Sequence, residues 1–318
     1  MQLWLIATSD VRVPASVPED LARSTLALRG QVGTEWLRRL PALIADCEGR
    51  WRVKAGPPFP NLSVNWVAPA NRADGTAAVL KLSFPEDEEF KTEAEALRLF
   101  DGRGAARLFR LDLGRGAMLL ERLEPGVPLD AVQDDEEAMS AAADVLRRLW
   151  RPPPADHEFS SVSDWARGLA RLRRHFGGGT GPLPARMVEE AEALFAELLL
   201  SQAEPNLLHG DLHHGNVLAA NRRPWLAIDP KGVVGEPAFD TGALLYNTSE
   251  LLDAPRPAKV LERRIDQLAE ELNLDGARVR GWGLSRAVLA AYWSWEDGGE
   301  VWEEALAFAE LLSAIKGW

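Results

Sequence analysis

Residues 207–247 read LLHGDLHHGNVLAANRRPWLAIDPKGVVGEPAFDTGALLYN, and two apolar runs inside this stretch decide how the chain is read. The runs Asn216 to Ala220 and Trp225 to Asp229 flank a turn-rich tetrad, Asn221-Arg222-Arg223-Pro224. Four-residue loops are common in hairpins. A loop over 221–224 pairs Ala220 with Trp225 and, counting outward, sets Asn216 directly opposite Asp229. Opposed side chains lie about 4.5–5.5 Å apart at Cβ, near enough for one hard cation to take oxygen from both. Asp211 lies five residues before Asn216, on a loop that follows the Leu207-Leu208 strand. A carboxylate there can orient an attacking hydroxyl and accept its proton. Taken singly, Asp229 before Pro230 reads as a turn residue, and Asn216 beside Gly215 as a bend. Spacing and hairpin symmetry together point instead to a metal site with a candidate base beside it.

Working outward, residues 51–123 carry short strand-like runs at 51–54, 62–68, 77–84, 105–111 and 117–123, separated by turn formers such as Gly56-Pro57-Pro58. One segment breaks this texture, because Phe90, Ala94, Leu97 and Phe100 recur at helical spacing over 88–100. Val79-Leu80-Lys81-Leu82 reads as a buried strand holding a lysine, a costly arrangement unless the charge has a partner. After Glu124-Pro125-Gly126 the chain turns helical. One apolar stripe runs from Met139 to Leu149 and stops at Pro152-Pro153-Pro154, a second covers 185–200, and further helices follow residue 240. Residues 17–47 also look helical, with Pro41 the expected kink or boundary. The expected organisation is α+β: a helical appendage over 1–50, an N-lobe over 51–124 with a five-stranded antiparallel sheet and one helix, and a mainly helical C-lobe over 125–318.

The segment His209-Gly210-Asp211-Leu212-His213-His214-Gly215-Asn216 resembles the catalytic loop of the aminoglycoside and choline kinases. Within the aminoglycoside phosphotransferase superfamily, Asp229-Pro230-Lys231-Gly232 is most similar to the streptomycin 6-phosphotransferase and hydroxyurea-resistance kinase branch. With the N-lobe pattern the likeness covers roughly residues 20–318, and residues 207–247 are its specific part. It implies a bilobal protein-kinase-like fold that binds between its lobes, with ATP and Mg²⁺. By this resemblance Asp211 is the catalytic base, Asn216 and Asp229 are the Mg²⁺ ligands, and Asp240 is a buried carboxylate bracing the loop. His209 serves packing and hydrogen bonding, and His213 is a candidate for touching substrate. Glu93 is the implied partner of Lys81, with Glu89 and Glu95 as rivals on the same helix. The strand ending at Glu121 to Leu123 becomes the hinge whose backbone meets adenine. The first N-lobe loop departs from protein kinases, since Gly56 to Asn61 has no run of spaced glycines.

A net charge of −12 disfavours a nucleic-acid partner, and no run approaches a membrane span. Cys47 is the only cysteine, which excludes a disulfide framework. The N-terminal stretch lacks a charged leader, so the chain reads as cytoplasmic. The expected function is ATP- and Mg²⁺-dependent phosphorylation of a small-molecule hydroxyl, with an aminoglycoside such as streptomycin as acceptor. A metabolic sugar or amino alcohol is the alternative acceptor, and a non-catalytic kinase-like binding protein is the alternative class. A cationic acceptor would meet carboxylates and aromatic rings in the C-terminal helices, where Trp293, Glu296 and Asp297 are the candidates. Trp293 and Trp295 cannot share one helical face, so at least one belongs to the core.

Overall fold

The computed structural model describes residues 17–202, 204–246 and 249–316. The chain divides into two compact units, the first running up to Ala94 and including Arg107–Arg122, the second made of Glu95–Ala106 and the chain from Leu123 onward.

In the first unit, β1 (Val53–Ala55), β2 (Trp66–Arg72), β3 (Ala77–Leu82), β4 (Leu108–Asp112) and β5 (Ala117–Glu121) form a five-stranded antiparallel sheet in the order β1-β2-β3-β5-β4. The β2–β3 turn is closed by Arg72 N donating to Thr76 O, with Gly75 at φ +82°. Helix α1 (Glu19–Trp51) belongs to this unit, and α2 (Glu88–Phe100) begins in it. The expected appendage over 1–50 is therefore no separate element where it is described. Leu21, Trp36, Leu37, Leu40 and Cys47 of α1 share one core with Ala68, Ala78, Leu80 and Leu82 of the sheet. Trp36 stacks on Phe84 at 4.7 Å, and its indole N–H reaches Ser83 O. Residues 1–16 of the expected appendage lie outside the described residues.

The break in α1 falls at Gly30 (φ 51°, ψ −125°) and not at Pro41, as the sequence led us to expect. Pro41 is exposed and forfeits one backbone hydrogen bond without leaving helical geometry. Glycine alone adopts the Gly30 conformation at little steric cost.

The second unit contains β6 (Pro125–Pro128), α3 (Asp135–Leu149), β7 (Ser160–Ser161), α4 (Val162–His175), α5 (Ala185–Leu200), β8 (Asn206–Leu208), β9 (Val217–Ala220), β10 (Trp225–Ala227) and β11 (Val233–Gly235). It ends with α6 (Pro237–Asp240), α7 (Gly242–Tyr246), α8 (Pro257–Leu272), α9 (Gly276–Gly298) and α10 (Glu303–Ala314). Two small sheets, β10-β9-β6 and β7-β11-β8, frame the loop quoted above. Asp134 caps α3 by accepting from the Glu136 and Glu137 amides, and Asp275 caps α9 in the same way through Ala277 and Arg278. Helix α9 is buried at nearly every position from Val279 to Tyr292, so it runs through the core of this unit. Among the described residues no helix is long and apolar enough to cross a membrane.

Candidate active site

The loop between β8 and β9 is held by Asp240, fully buried at the end of α6. Its Oδ2 accepts from His209 N at 2.9 Å and from the Trp150 indole at 3.1 Å, and its Oδ1 accepts from Gly210 N at 2.8 Å. Hydrogen bonds to a buried carboxylate are the strong kind. Gly210 turns the chain at φ +84°, and a Cβ there would meet Trp165 and Lys231 at 3.1 Å. His209 accepts the Asp211 N–H at Nδ1, which leaves Nε2 to donate to Ile228 O at 2.8 Å. Asp211 is thus delivered to a defined place with 30% of its side chain exposed. Its backbone oxygen accepts from Asn216 Nδ2 at 2.9 Å and from His213 N at 3.1 Å. Its Oδ1 lies 3.2 Å from Nη2 of Arg286, a buried residue of α9.

The β9–β10 hairpin differs from the sequence reading by one residue. Trp225 pairs with Ala219, not Ala220, because Ala220 N donates to Pro224 O and closes the turn over 221–223, one residue shorter than expected. Counting outward, Asn216 falls opposite Ile228, whose amide donates to Asn216 O at 2.9 Å. The direct opposition of Asn216 and Asp229 is therefore absent. Asp229 also has φ +57°, which breaks strand alternation and re-aims its side chain. The Lys231 ammonium lies 3.9 Å from Asp229 Oδ2.

Among the described residues no group of three His, Cys, Asp or Glu is placed to hold a metal. The donor set suits Mg²⁺ nonetheless, since that ion takes one or two carboxylates and completes its shell with water and phosphate oxygens. The Asn216 amide nitrogen is engaged by Asp211 O, so its carbonyl oxygen is the atom left to ligate. Asp229 contributes a partly exposed carboxylate.

In the first unit Lys81 Nζ lies 2.6 Å from Glu93 Oε2. Of the rival glutamates, Glu89 is exposed and Glu95 pairs with Arg98. At the expected hinge, the Glu121 amide already donates to Arg107 O at 2.8 Å and its carboxylate accepts from Arg107 N, so that amide is engaged within the unit. Leu123 is buried in the second unit, packed with Ala106, Ala220 and Leu226.

A cavity of about 860 Å³ opens beside the loop within the second unit. His213, His214, Asp130, Tyr246, Trp302 and Glu304 are among its lining residues. Burial holds His209 and His213 below the ordinary histidine range and pushes His214 down to about 4. All three rings are uncharged at neutral pH. His213 Nδ1 accepts from Gly215 N, whereas neither ring nitrogen of buried His214 has a hydrogen-bond partner among the described residues. Asp130 and Glu304 have no ion-pair partner there either, while Asp135 is engaged by Arg263 and Arg264.

The structure does not bring Trp293, Glu296 or Asp297 to this cavity. Glu296 is held by Arg171 through bonds of 2.8 and 2.7 Å and by the Tyr292 hydroxyl at 2.6 Å, an ion pair between α4 and α9. Trp293 packs edge-on against Trp165, and Asp297 lies on the exposed end of α9. Of the cavity residues, sequence reasoning singles out His213 and passes over Asp130, Tyr246 and Trp302 as well as Arg286. For Arg286 a signal existed: a lone arginine within the small and apolar run Trp282 to Leu289 needs a buried partner.

Residues 50–298 match the family model described as aminoglycoside/hydroxyurea antibiotic resistance kinase. The chain is 37% identical over 303 residues to streptomycin 6-kinase of Streptomyces glaucescens, covering 95% of this chain and 97% of that protein. It is also 37% identical over 307 residues to hydroxyurea phosphotransferase of Kitasatospora aureofaciens, covering 95% and 87%. Among solved structures, aminoglycoside phosphotransferase APH(4)-Ia in ternary complex with ADP and hygromycin B aligns with a TM-score of 0.59 at 16% identity, over 86% of this chain and 97% of that one. At that identity the likeness speaks for the fold, which is the α+β protein-kinase-like one.

Proposed function

We propose that this chain, which belongs to the aminoglycoside/hydroxyurea antibiotic resistance kinase family and is a phosphotransferase with an alcohol group as acceptor, moves the γ-phosphoryl group of ATP to a hydroxyl of streptomycin or a close chemical relative. The support is the placement of Asp211 on a loop fixed by Asp240, His209 and Asn216, next to a cavity large enough for a multi-ring acceptor.

Asp211 accepts the proton of the acceptor hydroxyl as that oxygen forms its bond to the γ-phosphorus and the bond to the bridging oxygen of ADP breaks. Lys81, oriented by Glu93, binds phosphate oxygens of the nucleotide. Asn216 and Asp229 would hold Mg²⁺ through oxygen, and the ion would supply positive charge against the transferring phosphoryl group. Positioning and electrostatics carry most of such catalysis.

The cavity favours a cationic polyol. Asp130 and Glu304 offer carboxylates to guanidinium or ammonium groups, His213 and His214 offer neutral ring nitrogens to hydroxyls, and Trp302 offers an aromatic face. A molecule as small as hydroxyurea would leave most of about 860 Å³ unfilled. We place the enzyme in the cytoplasm, where ATP is supplied. A panel of streptomycin, hydroxyurea, a sugar and an amino alcohol, assayed by coupled detection of ADP, tests the reading. Streptomycin is expected to turn over fastest; turnover of the sugar or amino alcohol alone would replace it with a metabolic kinase.

A further inference from the structure

We propose that Arg286 is a positioning residue that aims the Asp211 carboxylate, an inference that rests on the reading of Asp211 as the base. Arg286 is buried to 2% exposure in the middle of α9. Its Nη2 donates to Gly210 O and, at 3.2 Å, to Asp211 Oδ1, and its Nε donates to the Tyr246 hydroxyl at 3.0 Å. The guanidinium also lies over the rings of Phe239 and Trp165, at 5.0 and 5.7 Å from their centroids. Two hydrogen-bonding nitrogens and two ring faces fix the plane of the group.

Burying a guanidinium costs free energy unless an opposite charge and hydrogen bonds meet it. Among the described residues, the carboxylate within hydrogen-bond reach of this one is Asp211. A buried ion pair adds little to stability beyond what apolar side chains of the same volume would give, so direction is what this pair contributes. The contact holds Oδ1, while Oδ2 of Asp211 has no hydrogen-bond partner among the described residues and is the atom turned over to the acceptor hydroxyl. Because Nη2 holds both the Gly210 carbonyl and the carboxylate of the next residue, backbone and side chain of the loop tip are registered to one rigid group. A lysine has no planar fork with which to repeat this.

The test is a double-mutant cycle on folded protein, with Arg286→Lys made in the wild type and in Asp211→Asn, and Tyr246→Phe as a milder second variant. Streptomycin is the acceptor, and kcat, KM for ATP and thermal midpoint are read. If Arg286 acts through Asp211, Arg286→Lys lowers kcat about 10²-fold with KM for ATP held within about twofold. The same change then costs less than about twofold in the Asp211→Asn background. Tyr246→Phe lowers kcat in the same direction by a smaller factor. A crystal structure of Arg286→Lys is expected to show the Asp211 carboxylate in a different rotamer, a readout that needs no acceptor. Equal losses in both backgrounds, or an unchanged Asp211 rotamer with unchanged kcat, would overturn the proposal. Failure of the underlying reading is distinguishable, because then Asp211→Asn alone leaves turnover intact.

Discussion

Lys81 Nζ sits 2.6 Å from Glu93 Oε2 with both side chains buried, which joins β3 to α2 through a charge-assisted contact. A lysine oriented in this way can meet nucleotide phosphates as a point charge. Lys81→Met is expected to raise the Kd for ATP by about tenfold or more, a loss of at least ~1.4 kcal/mol of binding. Glu93→Gln should act in the same direction more weakly. Isothermal titration with a non-hydrolysable ATP analogue checks this, and unchanged affinity in both variants would remove the pair from the nucleotide site.

Asp240 accepts two backbone amides and one indole N–H with no exposure to water. Asp240→Ala strands the His209 and Gly210 amides, and a buried unsatisfied donor costs about 1–3 kcal/mol. Urea unfolding should show a loss of about 3 kcal/mol or more, with turnover falling alongside. A loss below about 1 kcal/mol would mean that the loop is held by something else.

Asp135, on the wall of the cavity, pairs with buried Arg264 at 3.0 Å from Nε and also with Arg263. Burial works against its charge, but the two guanidinium groups outweigh that and hold its carboxyl below the ordinary aspartate range. The folded pKa lies below the unfolded one, so the unfolded chain takes up the proton first as pH falls. The stabilisation is therefore complete above about pH 4 and is lost as pH drops through the folded value. Asp135→Asn should cost about 1–3 kcal/mol at pH 7, since it leaves buried Arg264 without its carboxylate while Asp135 itself is partly exposed, and the gap to wild type should close in acid. A gap that is constant or widens towards low pH would contradict the pairing.

Much of this site was legible in the sequence because its signals are local. A lysine in an apolar strand led to Lys81, the family resemblance then implied Glu93 as its partner, and the apolar period over 185–200 and 88–100 matches the helices found there. The hairpin register was not legible. Its loop is set locally by Ala220 N bonding Pro224 O and, across more than a hundred residues of chain, by the Arg222 guanidinium reaching Gly102 O and Ala105 O. Glu296 was misjudged for the same reason, since its partner Arg171 is 125 positions away. The cavity is assembled from segments between Leu129 and Glu304, and no single stretch announces it.

That reassignment separates two sets of carboxylates. Asp130→Asn and Glu304→Gln are expected to raise KM for streptomycin about threefold or more at low salt, and the difference should shrink in 0.5 M KCl as exposed charges are screened over less than about 10 Å. Glu296→Gln should leave KM unchanged at either salt concentration, because its carboxylate is occupied by Arg171 and Tyr292. A KM that responds to Glu296 and not to Asp130 or Glu304 would return the acceptor to the end of α9.

The most direct measurement compares turnover and nucleotide affinity in Asp211→Ala. Asp211 touches Arg286 through its side chain and holds the loop through its backbone oxygen, so truncation at Cβ leaves the Asn216 and His213 contacts in place. With streptomycin as acceptor, kcat should fall by the ~10²–10⁴-fold that general-base assistance contributes, while the Kd for ATP stays within about twofold of wild type. Retention of more than about a tenth of wild-type turnover would contradict the assignment of Asp211 to the chemical step.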